Sequence, residues 1–153
     1  MASSGGRSGR HRAREFVLQG LYEGQLSGNS ADAIRARLAA DPGFAKADNA
    51  YFDALWRGVN TEYEALVLLF AGILDRRAAQ LSPIERATLV IGAWELKHRP
   101  EIPYKVVIDE AIELAKSYGG TDGHKFVNGV LDKLAPSLRA AEIDALNRGT
   151  GTA

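Results

Sequence analysis

The chain of 153 residues contains no cysteine, which excludes disulfides, thiol nucleophiles and cysteine-based zinc or iron–sulfur sites. It also lacks a long apolar run. The longest, residues 65–74, is about half as long as the roughly 20 residues that cross a membrane. Residues 1–14 contain no apolar segment of the kind that secretory signals carry. We therefore expect a cytoplasmic protein without a membrane segment.

Net charge is absent as well, because nineteen basic and nineteen acidic residues cancel. The distribution is nevertheless uneven, since residues 1–14 contain four arginines and no acidic residue. These are Arg7, Arg10, Arg12 and Arg14. A basic segment on an otherwise acidic body is typical of proteins that bind a polyanion. On charge alone, a solubilising tail is an equally good interpretation.

Convincing period-two strand patterns are missing, whereas apolar residues recur at the three- and four-residue spacings of helices. We predict an all-α domain, a compact bundle of seven to eight helices packed around a central helix at residues 82–99. Residues 1–9 are rich in glycine and serine and are predicted to form a flexible basic arm. The helical domain is predicted to span residues 10–147, followed by a frayed tail at residues 148–153.

Local signals predict several helix boundaries and one close packing contact. Ser82, Pro83 and Glu85 have the spacing of a capping box at the start of the central helix. Thr61 and Glu64 have the same capping-box spacing. Pro136 is expected to end the seventh helix. Gly92, inside the central helix, costs about 1 kcal/mol relative to alanine, so we expect a neighbouring helix to approach closely there.

The sequence contains no recognisable set of catalytic residues. Glu95 and His98 have the Glu-x-x-His spacing of di-iron bundles, but no second pair exists, so we interpret them as surface polar residues near a helix end. Residues 119–125 are glycine-rich, but they lack the ending of a phosphate loop and a preceding strand. We therefore predict no enzyme activity, no metal and no cofactor.

Exposed aromatic residues near basic ones indicate a nucleic-acid surface instead. Arg10 and Arg14 are one helical turn apart, and Tyr22 lies off the apolar stripe of the same helix. Phe126 is similarly placed beside Lys125. Arginine binds phosphate through two parallel hydrogen bonds, and exposed rings stack on unpaired bases, a combination suited to single-stranded RNA. Partial burial of both rings at helix crossings is the alternative that spacing leaves open.

Four stretches carry a pattern found in one bacterial family. They are residues 12–22, residues 81–96, IPYKVVIDEAIELAK at residues 102–116 and HKFVNGVLDKL at residues 124–134. The last two are the most specific. In this order they resemble the NusB family of transcription antitermination factors, over about residues 10–135. Residues 27–47 match only in length and helical character.

The resemblance implies a fold, a function and a set of partners. It implies an all-helical fold of two small sub-bundles, with no catalysis and no cofactor. It implies binding of the single-stranded boxA element of nascent RNA together with NusE, a ribosomal protein of the small subunit. The pair would then join RNA polymerase and other Nus factors and suppress termination, notably on ribosomal RNA operons.

Site residues follow from the resemblance, position by position. The RNA-binding residues that it implies are Arg10, His11, Arg12, Arg14, Tyr22, Asp122, Lys125 and Phe126, of which the first four would contact phosphates. The NusE surface in the family lies on the fourth and fifth helices. At those positions this chain has Arg76, Arg77, Glu85 and Arg86.

Two alternative functions stay open at this point. NusB-like domains also occur as the N-terminal part of an RNA cytosine methyltransferase, although this chain has no glycine-rich cofactor loop and little room for a catalytic domain. The other alternative is a homodimeric helical protein that uses its basic arm for self-association. Ultracentrifugation with and without RNA would separate a monomer from a homodimer.

Overall fold

The computed structural model describes residues 2–75 and 80–151, and the side chains of residues 9–75 and 80–149. All regular secondary structure in this part of the chain is helical, which confirms the predicted all-α fold. The helices are α1 (Ala2–Ser27), α2 (Ala31–Ala39), α3 (Asn49–Thr61), α4 (Tyr63–Ala71), α5 (Pro83–His98), α6 (Tyr104–Tyr118), α7 (Gly123–Leu138) and α8 (Ala140–Gly151), with a 3₁₀ helix at Pro42–Lys46 between α2 and α3. None of them is both long and apolar enough to cross a membrane.

The helices pack as two small groups that share α1 and α5. In the first group, α1 packs against α2, the 3₁₀ helix and α3. In the second, α5, α6 and α7 pack against one another, α4 covers α5, and α8 follows α7. Because α1 also contacts α5 and α6, the core is continuous between the two groups. This arrangement confirms the two sub-bundles that the resemblance implied.

Aromatic side chains fill the first group. Phe44 packs edge-to-face on Phe16, with ring centroids 5.3 Å apart, and on Phe52 at 4.9 Å. Trp56 stacks on Phe52, and its ring passes so close to α1 that a Cβ atom at Gly20 would lie 2.6 Å away. Gly20 therefore permits the close crossing of α1 and α3.

The central helix α5 begins and packs as predicted. Ser82 Oγ accepts a hydrogen bond from the Glu85 backbone, and the Glu85 carboxylate accepts one from the Ser82 backbone, so the capping box is confirmed. Ten consecutive residues, 87–96, are buried. A Cβ atom at Gly92 would lie 2.9 Å from Leu131 on α7, which confirms the expected close approach.

A buried arginine that the sequence analysis overlooked caps the other end of α5. Arg139 is 5% exposed and donates to the backbone carbonyls of Glu95, Leu96, Arg99 and Ile102, at distances of 2.7–3.1 Å. The last carbonyls of a helix have no partner within the helix, and a cation there also offsets the negative end of the helix dipole. Arg139 thus attaches the α7–α8 junction to the end of α5.

Two predicted helix signals are wrong. Thr61 is the last residue of α3, and α4 begins after Glu62 with no side-chain cap, so Thr61 and Glu64 form no capping box. Pro136 lies inside α7, two residues before its end. A proline removes the hydrogen bond to the carbonyl four residues earlier, and the helix tolerates this loss here because it stops within one further turn.

The helical ends extend past the predicted domain limits. Residues 2–9, the predicted flexible arm, continue α1, and residues 148–151 of the predicted tail continue α8. Gly9 is buried, and its carbonyl accepts a hydrogen bond from the Asp48 backbone at 3.0 Å. This bond ties α1 to the start of α3, so the preceding residues extend a helix that is already fixed.

Candidate nucleic-acid interface

The basic residues near the start of α1 do not share one environment. Arg12 is exposed and makes no ion pair with any residue that the structure describes. Arg10 is partly exposed; its guanidinium carbon lies 4.7 Å from the centre of the Tyr51 ring, and its Nε lies 3.9 Å from an Asp48 oxygen. Arg12 is therefore the more accessible cation of the two.

His11 lies between two carboxylates. Its Nδ1 is 2.9 Å from Glu110 on α6, and its Nε2 is 3.6 Å from Glu15, one helical turn along α1. The imidazole is about one-third exposed. These contacts hold His11 between Glu15 on α1 and Glu110 on α6.

The structure corrects the prediction that Arg14 contacts RNA. Its side chain is buried, with 3% of the residue exposed, because α1 packs against α5 and α6 at this turn. Its Nε donates to both oxygens of Glu95, at 2.9 and 3.1 Å, and its Nη1 lies 3.2 Å from Glu110. The Tyr51 hydroxyl also donates to Glu95. We refer to Arg14, Tyr51, Glu95 and Glu110 as the buried charge cluster.

Burial and charge act in opposite directions within this cluster. Burial raises the pKa of Glu95, and the Arg14 charge and the Tyr51 hydroxyl offset part of that rise. Burial would lower the pKa of Arg14, but the charges of its partners outweigh this effect and raise it. Burial and the Glu95 charge raise the pKa of Tyr51. Arg14 and Tyr51 thus remain protonated at neutral pH and act as donors.

The sequence analysis placed Glu95 on the surface, whereas the residue is 1% exposed. A signal for burial was present, because Glu95 lies within a helix that is apolar on most of its circumference. A carboxylate in such a helix needs a donor from another element. The partners lie 81 residues away at Arg14 and 44 residues away at Tyr51, which no local pattern connects.

Two tyrosines lie on the solvent side of α1 and α6. Tyr22 is 40% exposed, as expected from its place off the apolar stripe. Tyr118, the last residue of α6, is 37% exposed and was not predicted as part of the surface. Its hydroxyl donates to Glu15 at 3.1 Å and lies 3.5 Å from the Gln19 amide nitrogen. These contacts place the α6–α7 turn beside α1.

That turn carries the second group of predicted residues. Asp122 precedes α7, and its carboxylate lies 3.5 Å from the ammonium group of Lys125; both side chains are more than two-thirds exposed. Phe126 is half-buried and packs partly against the core. Both interpretations of Phe126 therefore apply in part, since the side chain is partly buried and partly exposed.

Two of the four predicted partner-binding residues, Glu85 and Arg86, lie at the start of α5. Glu85 and Arg86 are half-buried, and the Glu85 carboxylate lies 3.5 Å from the position of a Cβ atom at Gly123. The start of α5 and the α6–α7 turn therefore touch. Arg76 and Arg77 lie outside the described residues.

The described residues contain no group of three or more histidine or carboxylate side chains that could hold a metal ion. Glu95 and His98 do not act as a pair. Glu95 forms an ion pair with Arg14, while His98 Nε2 lies 2.7 Å from Glu62 at the surface. The geometry thus offers a surface with cations and aromatic rings.

Comparisons with known proteins give one consistent result for the sequence. The profile of the NusB family matches residues 11–136. A protein from Ralstonia nicotianae named transcription antitermination protein NusB is 54% identical over 139 residues, which is 91% of this chain and 90% of the relative. A protein of the same name from Paraburkholderia phytofirmans is 51% identical over 142 residues, which is 93% of this chain and 99% of the relative.

Solved structures show the same fold. NusB of T. maritima superimposes with a TM-score of 0.74 at 30% identity, over 82% of this chain and 89% of that one. An antitermination factor chain from a complex of NusB and NusE with double-stranded RNA also gives 0.74, at 22% identity, over 86% of this chain and 98% of that one. With a matching profile over most of its length and relatives of more than 50% identity, this chain belongs to the NusB family.

Proposed function

We propose that the chain is an RNA-binding transcription antitermination factor. It binds boxA-type single-stranded RNA together with NusE and joins the antitermination complex of RNA polymerase and other Nus factors, notably on ribosomal RNA operons. The observation that carries the proposal is the identity of more than 50% with proteins named for this role, over nearly their whole length. The NusB–NusE–RNA complex with the same fold supports the choice of partners.

The RNA-binding surface that we propose has two parts, which the Tyr118 contacts with α1 hold side by side. On α1, Arg12 and the partly exposed Arg10 contact phosphates, and Tyr22 offers a ring to an unpaired base. At the start of α7, Lys125 contacts phosphate and Phe126 contacts a base. This arrangement provides electrostatic attraction and stacking without any need for double-helical RNA.

Three other residues of the predicted set have narrower roles. Asp122 is exposed and accepts hydrogen bonds from the N–H groups of a base. His11, held by Glu110 and Glu15, presents one ring edge to the same surface. Arg14 fixes the orientation of α1 from inside the protein and makes no phosphate contact.

NusE binds, in this proposal, on α4 and α5, with Glu85 and Arg86 at the start of α5 and with Arg76 and Arg77. Because Glu85 lies against Gly123 at the α6–α7 turn, a protein seated there lies next to the RNA. The chain acts as an adaptor in the cytoplasm and catalyses no reaction. The near full-length match with proteins named NusB favours this role over a methyltransferase domain.

The test is a titration of fluorescently labelled single-stranded boxA RNA with the protein, with and without NusE. We expect tighter binding with NusE, because the partner adds contacts to the same RNA. Arg12→Ala combined with Lys125→Ala is expected to weaken binding by about tenfold. It should also reduce the log–log salt slope by about 1.4, since each phosphate contact on a single strand contributes about 0.7.

The matched control combines Arg57→Ala with Lys105→Ala. Arg57 and Lys105 are exposed residues on α3 and α6, outside the proposed surface. Their substitution removes the same amount of positive charge as the Arg12/Lys125 variant. Equal loss of affinity in both double variants would show a nonspecific charge effect. Wild-type binding by the Arg12/Lys125 variant would place the RNA elsewhere on the protein.

A further inference from the structure

The imidazole of His11 has a carboxylate near each of its two nitrogens. Nδ1 lies 2.9 Å from Oε1 of Glu110, and Nε2 lies 3.6 Å from Oε2 of Glu15. The first distance is that of a hydrogen bond, whereas the second exceeds the usual range. The ring is also about one-third exposed. The two nitrogens therefore differ, because Nδ1 is bonded within the protein and Nε2 is left without a hydrogen bond of normal length.

The contact with Glu110 determines where the ring carries its first proton. An ionised carboxylate accepts hydrogen bonds and donates none. The same oxygen of Glu110 also lies 3.2 Å from Nη1 of Arg14, so it accepts from two donors. Glu110 is 7% exposed, which places this contact within the packed interface of α1 and α6. A hydrogen bond from His11 to this carboxylate requires a proton on Nδ1, whether the ring is neutral or charged.

This assignment limits what Nε2 can do. A neutral imidazole carries one proton on its two nitrogens, and an imidazolium carries one on each. With Nδ1 protonated, Nε2 of neutral His11 has only a lone pair and can only accept a hydrogen bond. Phosphate oxygens are acceptors as well, so neutral His11 cannot bind them through Nε2. The imidazolium can, because its Nε2–H is a charged donor.

The charges around the ring act in the same direction. Titratable groups surround it directly or through one intermediate side chain, and they come from four helices. They are Arg14 and Glu15 on α1, Tyr51 on α3, Glu95 on α5, and Glu110 and Tyr118 on α6. Within this described set Arg14 is the only cation, and the two groups in contact with the ring are carboxylates. A phosphate that approaches neutral His11 is therefore repelled, and protonation of the ring offsets this repulsion.

We propose that His11 is a proton-dependent phosphate contact: its imidazolium form donates from Nε2 to the RNA backbone, and its neutral form does not. The inference rests on the proposed function and adds regulation of the same site by pH. Histidine side chains change charge between about pH 5 and 8, so acidification across this range strengthens RNA binding. Arginine and lysine side chains stay charged there, so the contacts of Arg12 and Lys125 lack this dependence.

The test compares wild type, His11→Gln and His11→Arg for binding of labelled single-stranded boxA RNA with NusE, from about pH 5.5 to 8. Comparison at the same pH cancels the titration of groups on NusE and the RNA. At the acidic end, wild type should bind about fivefold more tightly than His11→Gln, the effect of one exposed charge contact. At the alkaline end these two should bind equally. His11→Arg is permanently charged, so at the alkaline end it should bind about fivefold more tightly than wild type.

The other two histidines of the chain provide matched controls. His98 lies at the end of α5, with Nε2 2.7 Å from Glu62, and His124 is the second residue of α7, beside Lys125. His98→Gln and His124→Gln should keep the pH dependence of wild type. Circular dichroism at both ends of the pH range checks that every variant is folded.

The salt dependence gives a second measurement at each pH. For wild type, the log–log salt slope should be about 0.7 steeper at the acidic end than at the alkaline end, because one phosphate contact on a single strand contributes about this amount. His11→Gln should show no such change, and His11→Arg should have the steeper slope throughout.

The outcomes separate this inference from the proposed function. If wild type and His11→Gln bind equally at every pH, or if His11→Arg binds no more tightly than wild type at the alkaline end, the inference is overturned and the proposed function stands. If His124→Gln removes the pH dependence instead, the proton binds at the start of α7 and the inference is again overturned. If wild type binds no single-stranded RNA with NusE at any pH, both proposals fail.

Discussion

Arg12 and Arg14 lie two residues apart on α1 and have opposite environments. Arg12 is exposed and has no ion-pair partner in the part of the chain that the structure describes, whereas Arg14 is buried against Glu95 and Glu110. Two residues along a helix correspond to a rotation of about 200°, so the two side chains leave α1 on opposite sides. Neighbouring arginines in one basic segment therefore have different roles, one within the core and the other at the surface.

The comparison shows that accessibility, rather than charge, separates binding residues from structural ones. A buried guanidinium is useful to the fold only while its carboxylate partners are present, because each unpaired charge would lose its hydration without compensation. An exposed guanidinium has lost little hydration and can exchange water for phosphate. Substitutions in the two groups should therefore affect different measurements.

The largest expected effect comes from Arg14→Ala. The substitution leaves Glu95 buried with only the Tyr51 hydroxyl as a close donor, and removal of one member of a buried ion pair typically costs about 3–5 kcal/mol. Urea denaturation followed by circular dichroism measures the loss. Arg12→Ala is the matched control and should change the free energy of unfolding by less than about 0.5 kcal/mol. Equal effects of the two substitutions would contradict the assigned environments.

A smaller effect is expected from Tyr51→Phe. The ring remains in place for the guanidinium groups of Arg10 and Arg99, which lie 4.7 and 5.0 Å from its centre, but the donor to Glu95 disappears. An unsatisfied buried acceptor costs about 1–3 kcal/mol in the free energy of unfolding. Tyr22→Phe removes a hydroxyl from an exposed ring and should be neutral in the same assay. A neutral Tyr51→Phe would mean that Arg14 alone satisfies Glu95.

The sequence was sufficient where the determining contacts are local. The capping box at Ser82 involves residues within one turn of each other, and periodicity placed Tyr22 outside the apolar stripe. Gly92 was interpretable because a helix-interior glycine needs a packing reason. Such local patterns were enough to predict the all-α fold class and the exposure of Tyr22.

The sequence was insufficient where an environment depends on which helices meet. The spacing of Arg10 and Arg14 places them on one helix edge, but only the packing of α1 against α5 and α6 buries the second and leaves the first partly exposed. Tyr118 lies beside α1 because its hydroxyl contacts Glu15 and Gln19, which are about a hundred residues away in the sequence. The burial of Arg139 likewise depends on carbonyl groups at the end of α5.

Glu62 is the surface counterpart of Glu95 and gives the smallest predicted effect. Its carboxylate lies 2.9 Å from Lys97 and 2.7 Å from His98, and these contacts lower its pKa below the ordinary value of 4.5. Unlike Glu95, Glu62 is about one-quarter exposed, so water screens the attraction. The contacts of Glu62 with Lys97 and His98 should therefore stabilise the fold only slightly, and the stabilisation should depend on pH and salt.

Because the pKa of Glu62 is lowered in the folded state, the unfolded chain binds the proton more readily than the folded protein does. The stabilisation is therefore present above pH 4.5, and it is lost as the pH falls through the folded-state pKa. Glu62→Gln should thus lower the free energy of unfolding by less than about 1 kcal/mol at pH 7. At pH values below the folded-state pKa of Glu62, the difference should vanish. Urea denaturation of the wild type and of Glu62→Gln, from pH 7 to below the folded-state pKa, measures this difference in the free energy of unfolding. The series is then repeated at high salt. A difference that persists in acid or at high salt would mean that Glu62 contributes through packing or hydrogen bonding, as buried Glu95 does, rather than through exposed charge.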